Sequence, residues 1–327
     1  MTQAESTDYA ERRKWYHANL TLSTPQLLRV HAALDEMLDA DVQSFDRVRS
    51  APVIDADPGV GKSTAANMYG RRFHRRAINA SRAAAAESAE HIPVARIGLT
   101  GNTTPKSLAL QMLEFYAHPR RTGNALQLTS SALDCVLRCR TQLIIIDDVH
   151  FLNLKRRDGK EVSNTLKSLA NDFPTTFLFI GVGVEREGMF DEGNAGGTNA
   201  QLGRRWTRLE MSAFNVFTPE GADEWRSTLL GLEQALVLLK SYPGMLAEEL
   251  SDYLFVRTTG YIGSLMELLR LGAAKAINTG KEALSQKMLD SITIAQAAEA
   301  RRKDTQARLV TFRRKQAATA SGAAASP

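Results

Sequence analysis

Residues 57–64 read Asp57-Pro58-Gly59-Val60-Gly61-Lys62-Ser63-Thr64 and follow a short apolar run at Val53-Ile54. The segment after them, through Met68 and Phe73, has the spacing of a helix. In such a strand–loop–helix turn, glycines allow several backbone N–H groups to point inward around a phosphate. The full pattern has glycine six positions before the lysine, where this chain has Ala56, but the later residues of the pattern are present. The sequence therefore predicts a phosphate-binding loop, with a purely structural glycine turn as the alternative.

The residue types of this loop fit a nucleoside triphosphate and Mg²⁺. Lys62 would contact the β- and γ-phosphates, and Ser63 would ligate Mg²⁺. The first turn of the following helix would favour the negative charge of the phosphates. We assign the whole loop to this cofactor: Asp57, Pro58, Gly59, Val60, Gly61, Lys62, Ser63 and Thr64.

A second half of the site follows the apolar run 143–146, which ends in Asp147 and Asp148. A run without alternation is typical of a central buried strand. The carboxyl ends of parallel strands meet at one edge of a sheet, where the phosphate loop is also expected. Asp147 would hold Mg²⁺ through water, and Asp148 would orient the attacking water. The alternative role for Asp148 is to cap the next helix.

Short runs of aliphatic and β-branched residues recur along the first two thirds of the chain, and helix-length segments separate them. This pattern predicts a parallel sheet covered by helices on both faces. The residues after Pro219 have helical spacing throughout, near 220–239, 245–256 and 262–277, and predict a smaller all-helical domain. The strand-like runs are Val53-Ile54, Val94 to Leu99, Leu143 to Ile146, Thr176 to Val182 and Thr207 to Met211.

Positive charge is concentrated near the C-terminus. The net charge is +5, and residues 301–315 hold seven basic side chains against Asp304, so this segment carries +6 and the rest −1. Net charge therefore does not predict a nucleic-acid surface on the body of the protein. The segment is either a solvated, partly helical extension or a site for nucleic acid or an acidic partner. From Gln316 onward, the lack of charge and of large apolar residues predicts disorder.

Composition excludes several classes of protein. Hydrophobic residues make up 43% and charged residues 24%, which excludes a wholly disordered or fibrous chain. No apolar segment approaches the roughly 18 residues that a membrane span requires, and the first twenty residues are polar. We expect a soluble, cytoplasmic protein without a membrane partner.

These residues together resemble a AAA+ ATPase, and within that class the chain is similar to transposition ATPases of the TniB and TnsC type. The phosphate loop and the paired acids carry the AAA+ part of the resemblance. The transposition part rests mainly on Asp147-Asp148-Val149-His150-Phe151-Leu152 and on Thr259-Gly260-Tyr261-Ile262-Gly263, which opens a helix. The segments Glu11-Arg12-Arg13-Lys14-Trp15 and Arg204-Arg205-Trp206 also match.

The resemblance implies an α/β fold of the AAA+ P-loop NTPase type, with a five-stranded parallel sheet, helices on both faces, and a small all-helical lid domain after it. We expect an N-terminal helical segment at 1–45 and an ATPase α/β domain at 46–215. The lid domain is expected at 216–300, and a basic, disordered tail at 301–327.

The resemblance also implies a function: an ATP-dependent homo-oligomer, ring or filament, that binds double-stranded DNA, marks it as a target and recruits or activates a transposase. A target-selection adaptor is a further implied partner. Arg205, with Arg204 beside it, matches the arginine finger that reaches the γ-phosphate held by the adjacent subunit; a solvated pair before a strand is the alternative. Many relatives have glutamate at the position of Asp148, and the shorter side chain implies either slow hydrolysis or a differently placed water.

Relatives grip DNA with loops on the sheet domain, and two loops of this chain offer suitable side chains. Contacts from them would read backbone phosphate and give salt-sensitive, sequence-tolerant binding. The alternatives are a helix start at Thr104-Pro105 and a solvated basic loop. The candidates are Thr103, Thr104 and Lys106 after the second strand, and Lys155, Arg156 and Arg157 after the paired acids.

The chain departs from the family pattern at two positions. Gly181 and Gly183 stand where many relatives place a polar sensor near the phosphate, and Ser264 stands where many supply an arginine. The sensor roles therefore stay unassigned.

Two other hypotheses about function are alternatives to a role in transposition. The same ATPase could serve as a helicase loader, an initiator-like protein or a signalling NTPase. A P-loop kinase acting on a small molecule is a different class, which the consecutive acids, the late arginine pair and the all-helical C-terminal region disfavour.

Overall fold

The computed structural model describes residues 7, 8, 10–12, 22–43, 49, 51–83, 90–151, 157–184 and 206–323. The chain forms two compact units. The first is Gln26–Met211, and the second joins Met1–Pro25 to Ser212–Pro327. The segment 1–45, which the sequence analysis treats as one piece, is thus divided between the two units at Pro25.

The first unit contains a five-stranded sheet in the order β2-β3-β4-β1-β5, and all of its strand pairs are parallel. The predicted α/β fold of the AAA+ P-loop type is confirmed. The strands are β1 (Ala51–Asp55), β2 (Val94–Gly98), β3 (Leu143–Asp147), β4 (Thr176–Gly181) and β5 (Trp206–Leu209).

Helices connect these strands, and their starts follow from local sequence. The helix after the second strand begins at a Thr104 capping box with Pro105 at its first position, and the next begins at an Asn124 capping box. A short 3₁₀ helix at Val149–Phe151 follows the third strand. The α-helices of this unit are α1 (Pro25–Gln43), α2 (Lys62–Ala83), α3 (Pro105–Phe115), α4 (Ala125–Arg138) and α5 (Arg157–Asp172).

Strand order determines where the polar strand ends meet. Every residue of β1, β3 and β4 is buried, as the unbroken apolar runs predict. β4 lies between β3 and β1, so Asp147 at the end of β3 and Asp55 at the end of β1 lie at the same edge of the sheet. The loop 56–61 leaves the sheet at this edge and leads into α2.

Helix α1 is fastened to the sheet unit by buried polar contacts. The Thr176 hydroxyl donates a hydrogen bond to Asp41 Oδ2 at 2.7 Å, and a ring nitrogen of His31 lies 2.9 Å from the Ala65 carbonyl oxygen. The Tyr69 hydroxyl donates to Asp35 at 3.0 Å. Both the start of β4 and the first turns of α2 are thereby bonded to the same helix.

The second unit is helical and has its own core, which includes Trp225, Leu254 and Leu268. The predicted helix over 245–256 is divided into a π-helical turn and α7, and the Glu233 carboxylate accepts N–H groups from Gly244 and Leu246 at the start of that turn. The elements are α6 (Pro219–Ala235), the π turn (Met245–Glu249), α7 (Ser251–Thr258), α8 (Ile262–Asn278), α9 (Gln286–Leu289) and α10 (Gln296–Ala323).

Ion pairs also hold distant parts of this unit together. Arg12 donates to both oxygens of Glu282, at 2.9 and 3.1 Å, which ties the N-terminal residues to the helical unit. Arg257 is 1% exposed and pairs with Glu299 at the start of α10. Burial would raise the pKa of Glu282, but hydrogen bonds from Arg12 and the Leu239 N–H hold it below its ordinary value.

The prediction of a disordered basic tail is wrong, because α10 continues to Ala323. Leu309 is buried, Phe312 packs edge-on against Phe217, and Arg313 forms an ion pair with Asp252 at 2.6 Å. Alanine has the highest helix propensity, so a segment without large apolar residues still continues a helix that is anchored upstream. Neither α10 nor any other helix in the described part of the chain is long and apolar enough to cross a membrane.

Gly181, at the end of β4, is required by packing. A Cβ atom there would lie 2.2 Å from Val184 Cγ2 and 2.7 Å from Val149 Cγ2. At Gly98, the last residue of β2, a Cβ would meet nothing within 4 Å. Close packing against Val184 and Val149 therefore explains why residue 181 is a glycine.

We expect Gly181→Ala to lower the free energy of unfolding by about 1–3 kcal/mol, the usual cost of overpacking a core. Gly98→Ala is the matched control and should change stability by much less. Urea denaturation of both variants measures the difference. Equal stabilities of the two variants would contradict the packing argument.

Candidate nucleotide site

The loop between β1 and α2 has the backbone conformation that a phosphate loop needs. Gly59 and Gly61 have φ angles of 83° and 92°, in the left-handed region that glycine adopts without strain. Helix α2 begins at Lys62, and the Ala65 N–H already bonds the Gly61 carbonyl at 2.9 Å. The free N–H groups of the first helical turn thus lie directly after the loop.

Lys62 is 8% exposed, and its ammonium is held by the loop itself. Nζ donates to the carbonyl oxygens of Ala56 at 2.8 Å and Asp57 at 2.7 Å. Burial lowers the pKa of Lys62, while Asp55 and Asp57 are the strongest of the carboxylates that oppose this shift. A bound phosphate would replace neutral carbonyl partners with charged oxygens, which form stronger hydrogen bonds with an ammonium.

Ser63 and Asp147 bring two oxygen ligands together. The Ser63 hydroxyl donates to Asp147 Oδ1 at 3.3 Å, and the Asp148 N–H donates to the same oxygen at 2.9 Å. Asp147 is 2% exposed. A hydroxyl beside a carboxylate, at the mouth of a phosphate loop, is the oxygen donor set that suits Mg²⁺.

Arg96 is a site residue that the sequence analysis missed. Its Nη2 donates to Asp147 Oδ2 at 2.6 Å, and its side chain is 48% exposed. In the β2–β3 pairing Arg96 lies opposite Ile145, two residues before Asp147, so strand register brings the arginine close to the carboxylate. The sequence feature that could have revealed Arg96 is its position as the one charged residue within the run Val94 to Leu99.

Asp148 lies beside this cluster and is accessible. Its backbone has a φ of 63°, a conformation that aspartate tolerates better than most residues, and its side chain is 45% exposed. His150 Nδ1 lies 4.0 Å from Asp148 Oδ1, and this buried nitrogen has no hydrogen-bond partner among the described residues. Asp148 thus keeps an oxygen facing solvent at the edge of the sheet where the loop ends.

The first candidate DNA loop has its hydroxyls engaged within the fold. Thr103 is buried, and its Oγ1 accepts the Thr100 N–H at 2.8 Å. Thr104 caps α3 and exchanges hydrogen bonds with Ser107, so the predicted helix start is confirmed. Lys106 is exposed. Of these three residues, only Lys106 offers a group that is not already used to shape the loop.

Most of the remaining predicted residues fall outside the part of the chain that the structure describes. These are Arg204 and Arg205 of the predicted finger and Lys155 and Arg156 of the second candidate DNA loop. Arg157 is the first residue of α5. Their proposed roles stay predictions.

The fold and the loop geometry define the class: this is an AAA+ P-loop NTPase fold. Residues 46–190 match the family model of the AAA domain. A comparison with curated protein sequences finds no match.

Solved structures support the same fold over most of the chain. One is the Aeropyrum pernix ORC1 protein in complex with DNA, with 17% identity, a TM-score of 0.59, and coverage of 88% of this chain and 68% of that one. Another is Drosophila ORC bound to DNA, with 12% identity, a TM-score of 0.52, and coverage of 89% and 66%. The chain thus spans about two thirds of the length of these structures.

The contact between Arg96 and Asp147 makes a prediction about Mg²⁺. If Asp147 holds Mg²⁺ as expected, Arg96→Gln should lower the Mg²⁺ concentration that half-saturates the nucleotide-loaded protein several-fold, because the Arg96 cation beside Asp147 would repel Mg²⁺. Arg96→Lys keeps the charge and is the control. Calorimetric titration of Mg²⁺ measures the change, and weaker Mg²⁺ binding by Arg96→Gln than by the wild type would contradict it.

Proposed function

We propose that this protein binds ATP with Mg²⁺ at the loop 57–64 and hydrolyses it. The observation that carries the proposal is the meeting of Lys62, Ser63 and Asp147 at one sheet edge, with the Ser63 hydroxyl 3.3 Å from Asp147. This juxtaposition joins residues 84 positions apart in sequence. The AAA domain match over residues 46–190 supports the same function.

The chain's own groups divide the work of binding. Lys62 exchanges the Ala56 and Asp57 carbonyls for phosphate oxygens, and Ser63 and Asp147 hold the metal. Mg²⁺, when bound, neutralises charge on the β- and γ-phosphates. Asp148 orients the attacking water, and its short side chain makes hydrolysis slow. Arg205, assisted by Arg204, reaches the γ-phosphate from an adjacent subunit and links hydrolysis to assembly of a homo-oligomer.

We further propose that the assembled protein binds double-stranded DNA without sequence preference. Two solved structures with a similar fold contain DNA, those of the Aeropyrum pernix ORC1 protein and of Drosophila ORC. At 17% and 12% identity these structures support only the fold. The proposal of DNA binding by this chain rests on its sequence resemblance to transposition ATPases. ATP would order the subunit interface, and hydrolysis would release the DNA.

The client proposed for this activity is a transposase, recruited or activated on the marked DNA. This part rests on the sequence resemblance to TniB and TnsC proteins, in the segments 147–152 and 259–263. An initiator-like or helicase-loading role is the second candidate. A transposase gene beside this one would support the first role, and a replicative helicase gene the second.

Lys62→Ala should abolish ATP-dependent retention of a DNA duplex of arbitrary sequence, because no other loop side chain supplies a cation to the phosphates. The wild type should retain DNA with ATP and lose it with ADP. Filter binding measures both, and Lys160→Ala, an exposed lysine on α5, is the control. Equal retention with ATP, with ADP and by Lys62→Ala would contradict the proposal.

A further inference from the structure

Helix α2 is strongly cationic although the body of the protein has almost no net charge. Its 22 residues contain no aspartate or glutamate. It runs about 33 Å, at 1.5 Å per residue, away from the phosphate loop. The basic residues of α2 are Lys62, Arg71, Arg72, Arg75, Arg76 and Arg82.

Two of these arginines are occupied within the fold. Arg72 and Arg76 both pair with Asp35 of α1, Arg76 at 3.1 Å. Arg72 also lies over the Tyr69 ring at 5.2 Å, and Arg76 over the Phe73 ring at 5.4 Å. They fasten α2 to α1 and have a structural role.

The other three form a stripe on the exposed side of the helix. Arg71, Arg75 and Arg82 are at positions i, i+4 and i+11, which a 3.6-residue period places within about 40° of one another. All three are exposed, and none of them has an ion pair or hydrogen bond to another described side chain. They lie about 6 and 10 Å apart along the axis, so the stripe covers about 16 Å.

We propose that this stripe, Arg71, Arg75 and Arg82, binds the phosphate backbone of duplex DNA; the inference rests on the proposed DNA binding. A straight row of guanidinium groups suits a rod-shaped polyanion, which carries a charge about every 1.7 Å along its axis. Guanidinium can bond two phosphate oxygens at once. Such contacts read no base identity, in agreement with sequence-tolerant binding.

Other anionic partners fit this surface less well. Helices that lie on membranes insert large apolar side chains, and α2 exposes none. The basic segment 301–315 of α10 carries +6, the same as α2, but several of its arginines are already engaged: Arg302 with Asp290, Arg313 with Asp252, and Arg308 over the Phe217 ring. The stripe on α2 is therefore the better phosphate surface of the two.

The test removes the three charges while keeping the helix. Arg71→Gln, Arg75→Gln and Arg82→Gln are combined, since glutamine has nearly the helix propensity of arginine. The control combines Lys287→Gln, Lys303→Gln and Arg314→Gln, three exposed cations of the other unit. Fluorescence anisotropy with a labelled duplex and a non-hydrolysable ATP analogue gives Kd across a series of salt concentrations.

We expect the stripe variant to bind DNA at least about tenfold more weakly near 0.1 M salt. The slope of log K against log salt should become less steep by about 2–3, close to one unit for each lost phosphate contact. Nucleotide affinity and thermal unfolding should match the wild type. The control variant should keep wild-type DNA binding.

The failures of the inference and of the proposed function are distinguishable. Unchanged affinity and slope in the stripe variant, beside a wild type that binds DNA, overturn the inference alone. Loss of DNA binding by the control variant would also overturn the inference. So would a stripe variant that still binds DNA but no longer binds polyglutamate, because the stripe would then be a surface that binds acidic proteins. A wild type that never binds DNA overturns both.

Discussion

A single buried carboxylate, Asp147, sets the requirements for the candidate site. It ends an otherwise apolar strand and is 2% exposed, so its oxygens need hydrogen-bond donors from neighbouring groups. The Ser63 hydroxyl, the Asp148 N–H and the Arg96 guanidinium all do so. The Asp147 carboxylate thereby bonds to three elements: the start of α2, the turn after β3 and the neighbouring strand β2.

Two buried charged groups of the candidate site, Lys62 and Asp147, both have hydrogen-bond partners within the chain. Lys62 is bonded to carbonyls of its own loop, and Asp147 is paired with Arg96. If ATP and Mg²⁺ bind here as proposed, they would replace partners that Lys62 and Asp147 already have. The affinity for such a ligand would be the difference between the two sets of contacts, so the proposal predicts that Arg96 affects Mg²⁺ binding.

The parts of this molecule that local sequence determines could be predicted. The glycine-rich turn, the unbroken apolar strand 143–146 and the helix over 262–277 each depend on neighbouring residues, and the structure contains all three. Arg96 was missed because its pairing with Asp147 depends on strand register, which one sequence does not reveal. The arginine stripe was missed because net charge averages over surfaces that the fold separates.

At the C-terminus the sequence predicted disorder, and the structure has a helix. Composition after Gln316 favours disorder, yet packing of Leu309 and Phe312 and the ion pair of Arg313 anchor the helix that continues into this segment. Tertiary contacts overrode local composition there, as they commonly do. Similarly, the hydroxyl of Thr104 looked available for phosphate but is consumed by the cap of α3.

The proposed function requires a nucleotide and its metal to lie where Lys62, Ser63 and Asp147 meet. Crystals grown with a non-hydrolysable ATP analogue and Mn²⁺ in place of Mg²⁺ test this directly, since anomalous scattering locates the metal. We expect a Mn²⁺ peak beside Ser63 Oγ and Asp147, with phosphate oxygens at Lys62 Nζ. A nucleotide bound elsewhere, or a metal remote from both oxygens, would contradict it.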